Sequence, residues 1–511
     1  MPKLVRSGAF YQRPSLFSLR KVIAMPVIRQ SPPLPQPPAK AISARSLYFA
    51  LRDATGGATT QLASAAFLTQ QLNAQRQPPV ALPCQPQALE AWMLAQHEAV
   101  GRQYQDYLAA RKAGAPRWYF SGKAHALYFL RAVAPTKLVD GAWLYGLTRH
   151  WRDHRLSSLL HIYLEELGNG VAAQNHVLLY RQLLEVNACE DWHTLPEAFF
   201  TQGAIQLALA ARSETFLPEI IGFNLGYEQL PLHLLITAYE LRELNIDPYY
   251  FSLHCTIDNA HSGHARAAVN AVFEVMPAFG ATQAYMERVA AGMQLSTAGL
   301  GTLAAIRHFD LMAEVVRILQ GKAQLGQYMH THHCQIEGKT LNEWLAEPEQ
   351  MARLLYVLQK TGWICRHQDP AQSRFWQIIA GEKAPMFGVF NGYEQQVIYD
   401  WIAGDALESL PRAQRLGPAW QMRASSPGLE APAPAQDNVY DFRSGRRLDT
   451  ASAGSDFDCE QRALERYVHA LPPHKRLDFL VDWLSPAKHP TVPGLWATRY
   501  FKQALHQQPF A

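Results

Sequence analysis

The sequence has little cysteine: six residues in 511, at positions 84, 189, 255, 334, 365 and 459, with no CxxC pair and no tight spacing. That excludes a disulfide framework and a finger-type zinc site, and it makes a reducing cytoplasm the expected setting. An apolar run of the roughly 18 residues needed to span a membrane is also lacking. The longest near the start is the short stretch Val22–Val27, so neither a signal-peptide core nor a membrane span is expected. Charge of one sign is not in excess, since 47 Lys and Arg stand against 43 Asp and Glu for a formal charge of +4, and a nucleic-acid partner is not expected. The GxxxxGK[ST], HExxH and GxSxG patterns are missing, as is a well-placed dinucleotide fingerprint, which removes the commonest phosphate-binding, zinc-protease and serine-hydrolase readings. Strand-like alternation is scarce.

What is present is a chain 48% hydrophobic, 11% aromatic and 18% charged, apolar enough to fold and long enough for several units. Segments of helical period at 86–114, 158–170 and 233–245 are separated by short Pro, Gly and Asn breakers, and such pieces pack as an all-α bundle. Residues 1–58 read as a loosely ordered basic arm: positions 1–52 hold nine Lys or Arg and no acid, and SPPLPQPPAK occupies 31–40. A helical bundle over 59–300 and a second helical region over 301–403 follow. The Pro-, Ala-, Ser- and Gly-rich stretch 404–460 is a linker, and 461–511 is a short helical tail.

Histidine is plentiful at 20 residues, and one group is informative. In FSLHCTIDNAHSGHA (251–265), His254, Asp258 and His261 stand at i, i+4 and i+7, one stripe of a continuous helix shared with Ile257 and Ala265 and so turned inward. Upstream, HIYLEELGNGVAAQNHVLL offers Glu165, Glu166 and His176. On an undistorted helix Glu165 shares the face of His176 and Glu166 lies about 80° away, but a break at Gly168–Gly170 changes the register. Glu228 is a lone carboxylate closing an apolar stretch, and Asp140 sits among apolar neighbours. Carboxylates and imidazoles arriving from separate helices are what a dinuclear iron or manganese site requires. The crowded MHTHHCQ at 329–335 reads as a surface loop. Cys189 and Cys255 read as small buried thiols, His161 and His264 as packing or capping residues, and Trp143, Trp151 and Trp192 as core.

Three motifs carry a resemblance. Glu166-Leu167-Gly168-x-Gly170 is followed by His176, ten residues after the acid. Gly222 to Glu228 is followed by His254, Asp258 and His261. Asp140 precedes GlyAlaTrpLeu, 26 residues before Glu166. Together they resemble the haem-oxygenase-like diiron oxidases and oxygenases, in detail over 120–290, and 373–402 is similar to the carboxy-terminal part of longer members.

The resemblance implies an all-α, haem-oxygenase-like up-and-down helical bundle with an additional C-terminal helical region. It implies two Fe(II) ions per chain, manganese being the other metal such ligands accept. One would be held by a subset of Asp140, Glu166 and His176, the other by His254, Asp258 and His261, with Glu166 and Glu228 shared or bridging. Glu166, His176, Glu228, His254, Asp258 and His261 would carry catalysis. O2 would be the co-substrate, reduced to a peroxo-diiron species that oxidises a small amine-bearing metabolite, amino acid or peptide-derived substrate by N-oxygenation or C–C cleavage. An external electron donor and a homodimer are compatible with this reading. Its rivals are a zinc hydrolase at the same ligands and a helical scaffold that binds no metal.

Overall fold

The computed structural model of the protein describes residues 43–53, 57–74, 82–83, 85–333, 335–380, 383–410 and 458–507. The Pro-rich stretch of the expected arm, most of the expected linker, Cys84 and Cys334 lie outside the described residues. Within them, helices supply nearly all regular structure, and the strands described form a single small hairpin, Gln335–Ile336 with Lys339–Thr340. The architecture is the all-α bundle expected. No described helix is long and apolar enough to cross a membrane.

The helices Lys123–Lys137, Ser157–Glu166, His176–Val186, Leu217–Tyr227, Tyr249–Ile257 and His264–Val275 surround the centre of the molecule. Helices Lys123–Lys137 and Leu217–Tyr227 are almost wholly buried, which is why their apolar residues run continuously instead of forming a stripe. Trp143 fixes the second of these: its ring packs on Phe223 and Tyr227, and its indole N–H donates to Asn224 Oδ1 at 3.0 Å. Tyr180 on the His176–Val186 helix donates to Leu130 O at 2.7 Å, tying that helix to Lys123–Lys137.

One helix crossing is made close by glycine. A Cβ at Gly222 would lie 1.8 Å from Val289 O, and one at Gly292 would lie 2.1 Å from Glu219 O. Helices Leu217–Tyr227 and Thr282–Leu295 therefore touch backbone to backbone, an approach that any side chain would prevent. A bidentate pair from Arg288 to Glu219, with Nε–Oε1 at 2.7 Å and Nη2–Oε2 at 2.6 Å, clamps one end.

The other regions dock on this bundle. Helix Ala44–Arg52, expected to belong to a loose arm, instead buries Leu47 and Tyr48 in the core against Phe200, because its apolar residues recur at helical spacing just after the Pro-rich stretch ends. In the second region, helix Gly392–Ala403 presents Asp400 to the start of Lys123–Lys137, where Oδ2 accepts from Ala124 N at 2.8 Å. Buried Arg131 pairs with Asp191 at 2.7 Å and lies 3.6 Å from Glu314, which also accepts from Tyr393 OH.

Replacing Gly222 with Ala is expected to cost about 1–3 kcal/mol by forcing this crossing apart. Gly101→Ala, mid-helix with nothing within 4 Å of the added Cβ, should instead stabilise by about 0.5–1 kcal/mol. Urea unfolding midpoints of the two variants, moving in opposite directions, check both.

Candidate metal centre

Glycines shape the backbone around the central acids. Gly141 has φ 75°, and a Cβ there would lie 2.8 Å from Glu166 Cβ, so the turn that follows Asp140 can press against Glu166 only with glycine at 141. Helix Ser157–Glu166 ends at three successive left-handed residues, Gly168, Asn169 and Gly170. A new helix starts at His176, where Asn175 Oδ1 caps Leu178 N at 3.1 Å. The break at Gly168–Gly170 thus interrupts the helical register, and Glu166 and His176 meet across it.

Asp140, Glu166, His176 and His254 come together, one donor atom of each lying within 4.8 Å of the others, and all four side chains are buried. Glu166, Glu228 and His264 form a second such group that shares Glu166. Asp258 adjoins it, with Oδ1 3.6 Å from His264 Nδ1. Of the seven residues singled out in the sequence, six therefore meet in one place. Glu166 lies inside the cluster. Glu165 lies outside it, its carboxylate 2.7 Å from His264 Nε2 and 3.2 Å from His161.

His261 is the exception. The expected continuous stripe fails because the helix ends at Ile257, and Asn259 Oδ1 then accepts from the backbone N–H of His261, Ser262 and Gly263 in a tight turn. A Cβ on Gly263 would lie 2.0 Å from Ile257 O, so the turn is closed over that glycine. His261 is carried to the surface, and the buried imidazole is His264, the first residue of the next helix. His254 also changes company, standing 3.2 Å from Asp140 Oδ2 within the first group instead of pairing with residue 261. The Asn259 and Ser262-Gly263 breakers were the available signal for this, outweighed by the helical spacing of the acids and histidines around them.

The imidazoles are oriented from behind. His254 donates from Nδ1 to Tyr250 O at 2.8 Å, which leaves Nε2 facing the cluster as an acceptor. His264 does the reverse: Nε2 meets Glu165, and Nδ1 faces Glu228 at 3.1 Å and Glu166 at 3.4 Å. A carboxylate or carbonyl behind each ring is the support that metal-binding histidines ordinarily have. Tyr250 OH donates to Asp140 Oδ2, and Lys137 Nζ stands 3.9 Å from Oδ1.

Charge and valence both ask for a cation. Glu166 Oε2, His176 Nδ1, Glu228 Oε1 and Asp258 Oδ1 are buried without a hydrogen-bond partner. His176 Nδ1 and Glu166 Oε2 are only 2.6 Å apart, a separation at which both atoms could face one ion. With protons as the only counter-charge, burial and the neighbouring Glu228 hold the Asp258 carboxyl well above the usual range. Burial raises Glu228 too, against the pull of His264. Burial opposes ionisation of Glu166 as well, but His176 and His264 outweigh it and hold that carboxyl well below its ordinary value. Carboxylate oxygens and imidazole nitrogens in this number suit iron, manganese or zinc, so the residues present fit a metal ion.

Residues 127–298, about a third of the chain, match a family described as iron-containing redox enzymes. No curated protein and no solved structure matches. All members of the cluster fall within the matched residues, and over this segment the chain is similar to the haem-oxygenase-like, iron-containing redox enzymes.

Proposed function

We propose that the protein is a non-haem diiron oxidase or oxygenase, with one ion held by Asp140, Glu166, His176 and His254 and the other by Glu166, Glu228, Asp258 and His264. The observation that carries this reading is the pair of buried donor groups that share Glu166, each with orphaned acceptor atoms. Two ferrous ions would supply the electrons for activation of O2. The chain's part is to hold the donors in place before the ions arrive. Tyr250 O and Glu165 fix which nitrogen of His254 and His264 is free, and Tyr250 OH restrains Asp140. Tyr250 packs its ring against His176 and His254, and Tyr180 and Phe251 pack against Tyr250, a buried aromatic layer beside the donors. The substrate we attach to the site, a small amine-bearing metabolite or amino acid that is N-oxygenated or cleaved at a C–C bond, rests on the motif resemblance, as does an external electron donor.

Protein loaded with Fe(II) without oxygen and desalted should retain about two irons per chain. His254→Ala should lose the ion of its group, and His264→Ala the other, whereas His261→Ala should retain both. Iron analysis of the four proteins decides the ligand set, and equal retention by His264→Ala and the parent would refute it. The reduced, iron-loaded parent should then consume O2 in an electrode chamber while His176→Ala does not. Retention of zinc instead of iron, with no O2 uptake, would point to a hydrolase.

A further inference from the structure

The tail 458–507 lies outside the family-matched residues, yet it packs against the break that separates Glu166 from His176. A Cβ on Gly170 would lie 2.4 Å from Leu495 O and 2.8 Å from Arg499 N, so helix Val492–Gln507 rests directly on the left-handed turn, and Arg499 Nη2 donates to Gly170 O at 3.1 Å. Tyr163 OH, one turn before Glu166, donates to Leu484 O at 2.5 Å. Asp478 anchors the tail further out, accepting from Trp151 Nε1 at 2.8 Å and from Arg152 at 2.9 and 3.0 Å.

One tail side chain reaches the base of the metal centre. His489, 2% exposed, lies with Nδ1 3.0 Å from Asn175 Nδ2. The same amide donates to Leu167 O at 3.1 Å, and its oxygen caps Leu178 N. All three contacts are satisfied by one orientation of the amide and by a neutral imidazole that accepts at Nδ1. Burial holds His489 in that neutral form, its pKa pushed down to about 3. Asn175 therefore joins the residue after Glu166 to the helix that begins with His176, and His489, by taking the second N–H of the amide, adds a third contact that holds the same rotation.

We infer that His489 is a positioning residue of the metal centre, and that the tail completes the site by locking the Asn175 amide which sets Glu166 against His176. This rests on the metal-centre reading above. His489 touches no donor atom of the cluster and acts only through Asn175.

The test uses full-length protein, Co(II) as the probe, and His489→Leu, which keeps the bulk and removes the acceptor, beside His489→Gln, whose Oε1 can still accept from Asn175. His489→Leu should weaken Co(II) affinity about 10- to 100-fold, the usual effect of removing an outer partner, and shift the visible absorption of the bound ion. His489→Gln should restore both to near the parent values. Asp478→Ala should lower the unfolding temperature and leave affinity and spectrum unchanged. Parent-like affinity and spectrum in His489→Leu would overturn the inference, as would a His489→Gln variant as impaired as the leucine. His254→Ala, run alongside, separates the two readings: if it too binds Co(II) like the parent, the metal centre itself is wrong, and if it alone loses the ion of its group, only the role of His489 is.

Discussion

Like charges held close together without water repel, and the centre of this bundle gathers four buried carboxylates, Asp140, Glu166, Glu228 and Asp258, around three imidazoles. A pair of unit charges 4 Å apart at an effective dielectric of 20 interacts by about 4 kcal/mol. A few such pairs rival the roughly 5–15 kcal/mol by which a folded domain exceeds its unfolded chain. Positive charge at the centre is therefore a condition of the arrangement. Protons meet it only by leaving some carboxyls neutral and His264 charged, with acceptor atoms still unmatched. Divalent ions would meet it with all the carboxylates ionised.

The secondary structure sharpens that demand. Glu166 is the last residue of its helix, and Glu228 and Asp258 each sit just past the end of theirs. Three helix C-termini, each the negative end of a peptide dipole, thus converge on the acids, while His176 and His264 open their helices and bring the positive ends of two more. Ligands at helix ends can be aimed by a turn, where one glycine or one Asx contact changes the direction of a side chain by a large angle. Gly141, the Gly168–Gly170 break and the Asn259 turn are these aiming devices.

This explains what could be read from the sequence and what could not. Helical period and the scarcity of alternation are local properties, and they gave the all-α bundle. Asp140, Glu228, His254 and Asp258 stood out as acids and an imidazole among apolar neighbours, which need partners, whereas Glu166 and His176 were picked out by the motif resemblance, helix geometry alone favouring Glu165. The exchange of His261 for His264 was not legible from spacing, since spacing presumes a continuous helix and the side chain of Asn259 ends it. Nor were the burial of Leu47 and Tyr48, the outer role of Glu165, or the contact between Asn175 and His489. Each of these is decided by contacts between residues far apart in the chain, for which periodicity carries no information.

The seat of helix Val492–Gln507 on Gly170 bears on the order of events during synthesis. Arg499 and Gly170 are 329 residues apart. At about 5–20 residues per second of chain growth, roughly 15–65 s separate the emergence of the turn from that of the helix that covers it. Once His264 has emerged, the nascent chain carries every acid and imidazole of the cluster but not the segment that packs on the turn between Glu166 and His176. The contacts of that segment with Gly170 and Asn175 therefore form only after residues 484–499 have been made.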